Sequence, residues 1–149
     1  MPTPTARLSQ TDHRALTWWA AGVAERVLDV FEAVRPDDAR PREAIEAARA
    51  WARGEIPMMD ARCFAFAAHD AARDVDGHAR AAARAAGHAF ATAHMPRHAG
   101  VVVRYACAAV DDVAAEHAFQ RESWPAFEQP ALAIQLTASA RSASGIGAA

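Results

Sequence analysis

Between residues 13 and 34 the apolar positions recur every three or four residues, the spacing of an amphipathic helix. The apolar set is Leu16, Trp19, Ala20, Val23, Val27, Val30, Phe31 and Val34, and Glu25, Asp29 and Glu32 fall on the opposite side. Ser9 or Thr11 can cap the start of this helix, with Asp12 three residues after Ser9 as in a capping box. Arg35-Pro36 ends it.

Weaker versions of the same periodicity predict further helices along the chain. Their expected ranges are 41–53, 60–74, 78–95, 98–121 and 131–138. Pro41 suits a first helical position, Gly54 and Asp76-Gly77 are breaks, and Pro96 interrupts the fourth helix. Asp60 can cap the third helix through its carboxylate.

No stretch shows convincing period-two alternation flanked by turns, so no strand is expected. The chain is long enough for one core and too short for two ordinary domains. We therefore predict an all-α, single-domain bundle of about five or six antiparallel helices joined by short loops. It comprises an N-terminal arm at 1–10, a helical domain at 11–138 and a flexible Ser/Gly/Ala tail at 139–149.

Composition strengthens the helical interpretation, because 42 of the 149 residues are alanine and only seven are glycine. Alanine has the best intrinsic helix propensity. All 16 basic residues are arginine, which biased base composition in the coding genome or selection for guanidinium recognition would explain.

The formal net charge of −2 provides no long-range positive field, so we expect no nucleic-acid partner and no attraction to a membrane surface. The N-terminus lacks a basic and an apolar leader region, and no run is long enough to span a bilayer, so a cytoplasmic location is expected. Cys63 and Cys107 lie far apart without metal or redox spacing, and we expect two buried thiols outside any disulfide.

One face of the fourth helix carries polar side chains. At 100° per residue, Arg80, Arg84, Gly87, His88, Ala91, His94 and Met95 fall within roughly one third of the circumference. His98 follows four residues after His94. A mid-helix glycine such as Gly87 costs about 1 kcal/mol relative to alanine and often marks close approach by another group. The face is either a binding site, with imidazoles as acid/base groups and guanidiniums for an anion, or a solvated helix surface.

Other chemistry has less support. His94 and His98 have the spacing of two metal ligands, but no Glu follows His94 and Pro96 distorts the geometry, so no metal or cofactor is expected. Asp112 and Glu116 are interpreted as a hydrated acidic face, since a carboxylate-bridged metal site needs further ligands. No nucleophile, phosphate-loop or dinucleotide motif is present, so the catalytic residues are unknown and enzymatic activity stays open.

Trp18 lies outside the apolar stripe of the first helix, on the side of Gly22, Glu25 and Asp29. It is either an interface anchor or an aromatic ring packed under the N-terminal arm or a neighbouring helix.

Three segments together resemble the bacterial putative immunity proteins of the immunity-five-like domain group. They are DHRALTWWAAGVAERVLDVFE, RPREAIEAARAWARGE and GHAFATAHMPRHAGVVVRYACAAV, with a weaker match at EHAFQRESWP. The resemblance spans about residues 12 to 125, and its histidine motif falls on Gly87, His88, Thr92, His94 and His98. Phe119 stands where tryptophan is expected, and Gly22 where cysteine is usual.

The resemblance implies an all-helical fold and a protein-binding antitoxin of a bacterial competition system. Our first hypothesis is therefore a protein that binds and occludes a partner such as a toxin. The alternative is a small helical enzyme or ligand-binding protein. The candidate site for either is the polar face formed by Arg80, Arg84, His88, Thr92, His94 and His98. A homo-oligomeric scaffold is the third hypothesis.

Overall fold

The computed structural model describes residues 6–143, apart from the side chains of residues 59–61 and 139–143. This part of the chain contains seven helices and no strand, which confirms the all-α prediction. The helices are α1 (Gln10–Val34), α2 (Arg40–Ala52), α3 (Met58–Arg73), α4 (Gly77–His94), α5 (His98–Ala108), α6 (Val113–Glu122) and α7 (Pro130–Ala143). Each of these helices is too short or too polar to cross a lipid bilayer.

The expected count of five or six helices is wrong because the helix predicted at 98–121 is two helices. α5 ends at Ala108, and α6 begins at Val113 after a short turn. The Asp112 carboxylate accepts a hydrogen bond from the Ala115 backbone N–H at 2.9 Å and so caps α6. Neither glycine nor proline marks this break, which is why periodicity alone missed it. The antiparallel arrangement of the helices remains a prediction.

The predicted cap of α1 is half correct. The Ser9 hydroxyl accepts from the Asp12 backbone N–H at 3.1 Å, as expected. The Asp12 carboxylate does not close a capping box; it accepts from the backbone N–H groups of Glu128 and Gln129, each at 2.8 Å. Buried Asp12 thereby ties the start of α1 to the segment before α7.

The bounds of α3 and α7 differ from the predicted helix boundaries. α3 begins at Met58 directly after Pro57, two residues before the predicted start, and the proposed cap side chain of Asp60 lies outside the described residues. The last helix continues to Ala143, and the rest of the predicted tail, 144–149, also lies outside them.

α4 is the central helix, in contact with α1, α2, α3 and α5. Ala81, Ala82, Ala83, Ala85, Ala86 and Ala89 on it are all buried. Because alanine side chains are small, neighbouring helices can approach the α4 backbone closely on several sides. Larger side chains fill the remaining space, with Phe31, Phe90, Leu16 and Ile45 among the most deeply buried.

Candidate functional site

The polar face predicted on α4 is divided among different environments. Arg80 and His94 are exposed, Arg84, His88 and His98 are half-buried, and Thr92 is fully buried. The structure therefore brings only part of the predicted set together.

Arg80 belongs to the turn between α3 and α4. Its Nε donates to the backbone carbonyl oxygens of Ala72, at 3.1 Å, and Val75, at 2.8 Å. Its Nη2 contacts the Asp76 carboxylate at 3.1 Å. These contacts satisfy carbonyl groups at the C-terminal end of α3, so Arg80 stabilises the turn.

Four aromatic side chains form what we call the histidine cluster: His69 of α3, His88 of α4, and His98 and Tyr105 of α5. The His88 ring lies between the others, with ring centroids 4.8 Å from His69, 5.2 Å from His98 and 5.5 Å from Tyr105. The Nδ1 atoms of His88 and His98 are 3.1 Å apart. His88 and His98 thus meet as the sequence suggested, and His69 and Tyr105 complete the group.

Sequence reasoning did not place His69 in this group, but Gly87 gave an indirect signal. A Cβ atom built on Gly87 would lie 2.7 Å from Cε1 and 2.8 Å from Nε2 of His69. Such distances are too short for any real pair of these atoms. Gly87 therefore leaves the space that the His69 ring occupies, as the cost of a mid-helix glycine suggested.

The electrostatics of the cluster favour neutral imidazoles. Burial, followed by the Arg84 guanidinium, lowers the pKa of His69 to about 4. Burial and then the neighbouring His69 lower the pKa of His88 to about 3, and burial also lowers that of His98. The Nδ1 contact requires one of the two rings to donate and the other to accept, which two neutral tautomers can do and two imidazolium ions cannot.

Thr92 is a structural member of α4. Its hydroxyl donates to the backbone carbonyl of His88 at 2.9 Å. Its own carbonyl lies 2.7 Å from Nε2 of His13, whose ring packs against Trp51 with centroids 4.8 Å apart. Burial lowers the pKa of His13 as well. These contacts join α1 to α4. The Thr92 side chain is fully buried, and the His88 carbonyl satisfies its hydroxyl.

The histidine cluster is thus packed on itself. Its imidazoles contact one another and Tyr105 directly. In the described part of the chain, no group of three or more His, Cys, Asp or Glu residues is arranged to hold a metal ion. The half-buried rings pack against one another and share a hydrogen bond, whereas His94 is exposed at the end of α4.

A second candidate site is the surface around Trp18, which we call the Trp18 surface and define by Trp18, Arg49 and Arg53. The Trp18 side chain is 47% exposed. The guanidinium carbons of Arg49 and Arg53 lie 5.4 and 5.8 Å from its ring centroid. Trp18 therefore packs beside arginines of a neighbouring segment and leaves about half of its surface exposed, and its role as an interface anchor stays a prediction.

A third candidate is a cavity of about 400 Å³ beside α1, α6 and α7. We call it the tryptophan cavity, lined among others by Trp19, His117, Gln120, Arg121, Trp124 and Ile134. No sequence pattern indicates this cavity, because its walls come from helices far apart along the chain.

Next to this cavity the acidic-face interpretation of Glu116 is wrong. Glu116 is only 2% exposed. Its carboxylate accepts from Arg26 Nε at 2.8 Å and from Gln120 Nε2 at 3.1 Å. Arg26 lies on α1, far from Glu116 in the sequence. Because α1 comes near α6, the Arg26 guanidinium can pair with the buried Glu116 carboxylate.

The thiols also differ from expectation. Cys63 is exposed and Cys107 is half-buried. Neither takes part in a disulfide within the described residues. The Cys107 Sγ lies 3.9 Å from Nε2 of His117 and 3.6 Å from Nε2 of Gln120, so it adjoins the polar groups of the cavity.

Comparison with known proteins agrees with the resemblance drawn from the sequence. A family model described as Imm-5 like putative immunity protein matches residues 6–141. No curated protein and no solved structure gives a significant match.

Proposed function

Because the chain belongs to the Imm-5 like putative immunity protein family, we propose that it binds a protein toxin and occludes the toxin's active surface. The observation that carries the proposal is the family match over residues 6–141, which includes all the helices except the last two residues of α7. Occlusion requires a docking surface and no reacting group on this chain.

We assign the docking to the Trp18 surface. Tryptophan and arginine are the residue types most enriched among those that dominate binding energy at protein interfaces. Trp18 supplies a large apolar ring, and Arg49 and Arg53 supply charged donors beside it.

The Trp18 surface is also held in place before a partner arrives. Arg49 pairs with Glu25 of α1, and Arg53 Nε contacts the Glu55 carboxylate at 2.7 Å. Immobilising long side chains on binding costs affinity, so side chains already ordered in the free protein lose less. A half-exposed aromatic ring beside two ion-paired guanidiniums is therefore a favourable anchor for a partner.

The test is co-expression in bacteria with the toxin domain encoded beside this gene. Wild-type chain is expected to restore growth, and Trp18→Ala to weaken toxin binding by at least tenfold, about 1.4 kcal/mol or more. Phe66→Ala is the matched control, because Phe66 is 66% exposed, lies on α3 and is not one of the residues of the Trp18 surface. Both variants should stay folded, since each removes an exposed ring.

Failure of the wild-type chain to protect against that toxin, or a neighbourhood of biosynthetic genes with no toxin, would contradict the immunity function. Protection that Trp18→Ala and Phe66→Ala reduce equally would contradict only the assignment of the Trp18 surface. Circular dichroism of both variants separates loss of binding from loss of folding.

A further inference from the structure

The tryptophan cavity has the size of a small-molecule site. Its volume of about 400 Å³ lies within the range of ligand pockets in proteins. Such pockets are mostly apolar, with a few polar groups that orient the ligand.

Aromatic rings form the apolar walls of the cavity. Trp19 is almost fully buried, and its Nε1 donates to the Ser123 hydroxyl at 3.0 Å. The Trp124 ring meets Trp19 edge to face, with centroids 4.7 Å apart. Ile134 of α7 is 57% exposed although it lines the same cavity. Since the indole N–H of Trp19 is already satisfied, its ring offers apolar surface to an occupant.

Gln120 contributes an acceptor that has no partner among the described residues. The side chain is 4% exposed, and its Oε1 is buried without a hydrogen bond. Its Nε2 faces the Glu116 carboxylate, which Arg26 holds at 2.8 Å. Because that carboxylate only accepts hydrogen bonds, the amide cannot turn its oxygen toward it. Burial removes the water that would otherwise donate a hydrogen bond to this oxygen. A ligand that carries a donor would supply the missing hydrogen bond.

Arg121 adds a positive charge at the same cavity. It is exposed, lines the cavity, and forms no ion pair with any described carboxylate. His117, one turn earlier on α6, lines the cavity as well. A guanidinium without a protein partner is suited to a planar carboxylate, which it can bind through two hydrogen bonds.

We propose that the tryptophan cavity binds a planar aromatic carboxylate that carries a hydrogen-bond donor on its ring. The ring packs against Trp19, Trp124 and Ile134. The carboxylate pairs with Arg121, and the donor reaches Gln120 Oε1. The site is distinct from the Trp18 surface and does not depend on the immunity function.

The test is isothermal titration calorimetry of the full chain with indole-3-acetate, which has an aromatic ring, a ring N–H and a carboxylate. Saturable one-to-one binding is expected. Arg121→Gln and the analogue 1-methylindole-3-acetate, which lacks the N–H, should each weaken binding at least tenfold. Ile134→Trp should abolish it by filling the cavity. Arg62→Gln, an exposed arginine on α3, is the charge-matched control and should bind as wild type does.

Absence of saturable binding to the wild-type chain would overturn the proposal. Binding that both Arg121→Gln and Ile134→Trp leave unchanged would also overturn it, because the probe would then occupy another site. Equal affinity for the two indole probes would remove Gln120 Oε1 from the assignment. Far-ultraviolet circular dichroism of each variant confirms that a lost signal is not lost folding.

Discussion

The histidine cluster and the tryptophan cavity both place polar and aromatic side chains against small-residue helices, yet they differ in what fills the space. In the histidine cluster the rings of His69, His88, His98 and Tyr105 occupy the space themselves. In the tryptophan cavity the side chains leave about 400 Å³ open, and the lining residue Gln120 has a buried Oε1 with no hydrogen-bond partner among the described residues. Residue types that suggest chemistry can thus serve packing, whereas an open, mostly apolar volume with a few polar groups is the better mark of a binding site.

The largest effect expected from this comparison is at His88. His88→Ala removes a ring that touches three others, and the free energy of unfolding should fall by about 2–3 kcal/mol. His94→Ala, on the same helix but exposed, should change it by less than about 0.5 kcal/mol. Urea unfolding of both variants measures the difference. Equal losses would show that the cluster is no more important to folding than the exposed end of α4.

The next effect concerns pH. The pKa values of His69 and His88, about 4 and about 3, lie below the ordinary value of 6.5. Below about pH 6.5 the unfolded chain therefore binds protons that the folded chain does not. Stability should be fully present above pH 6.5 and should decrease as the pH falls from 6.5 toward 4, by at most about 1.4 kcal/mol per pH unit for each imidazole.

Urea unfolding at pH 7.0 and at pH 5.5 checks this prediction, with His94→Ala as the control that keeps all three cluster histidines. Equal stability at the two pH values would mean that the cluster histidines take up protons in the folded chain too.

The smallest expected change in stability comes from adding a methyl group at Gly87, where space is filled, compared with Gly22, where space is open. Gly87→Ala adds one carbon where His69 leaves no room, and should destabilise the chain by about 1–2 kcal/mol despite the better helix propensity of alanine. Gly22→Ala, in α1 with nothing within 4 Å of the added carbon, should stabilise it by about 0.5–1 kcal/mol. Thermal unfolding of the two variants gives the sign of each change. Stabilisation by Gly87→Ala would contradict the packing of His69 on α4.

Structural features that depend on residues close together in the sequence could be predicted. Periodicity located the helices, Pro36 and Gly54 marked ends, and Ser9 capped α1 as expected. The resemblance of three segments together led to the family that the comparison confirms.

Contacts between distant segments could not be predicted in the same way. His69 joins His88 only because α3 packs on α4, and Glu116 is buried only because Arg26 reaches it from α1. The break before Val113 depends on the Asp112 cap, which a search for glycine or proline does not detect. The tryptophan cavity needs three helices in place before it exists, so no single segment indicates it.

We infer that the histidine cluster is a half-buried group of closely packed, neutral imidazoles beside Tyr105. Nuclear magnetic resonance titration of the imidazole signals of the folded chain tests it most directly. We expect the signals of His69 and His88 to show no protonation between pH 7.5 and 5, in agreement with pKa values of about 4 and about 3. Titration of both rings with midpoints near 6.5 while the chain remains folded would contradict the claim.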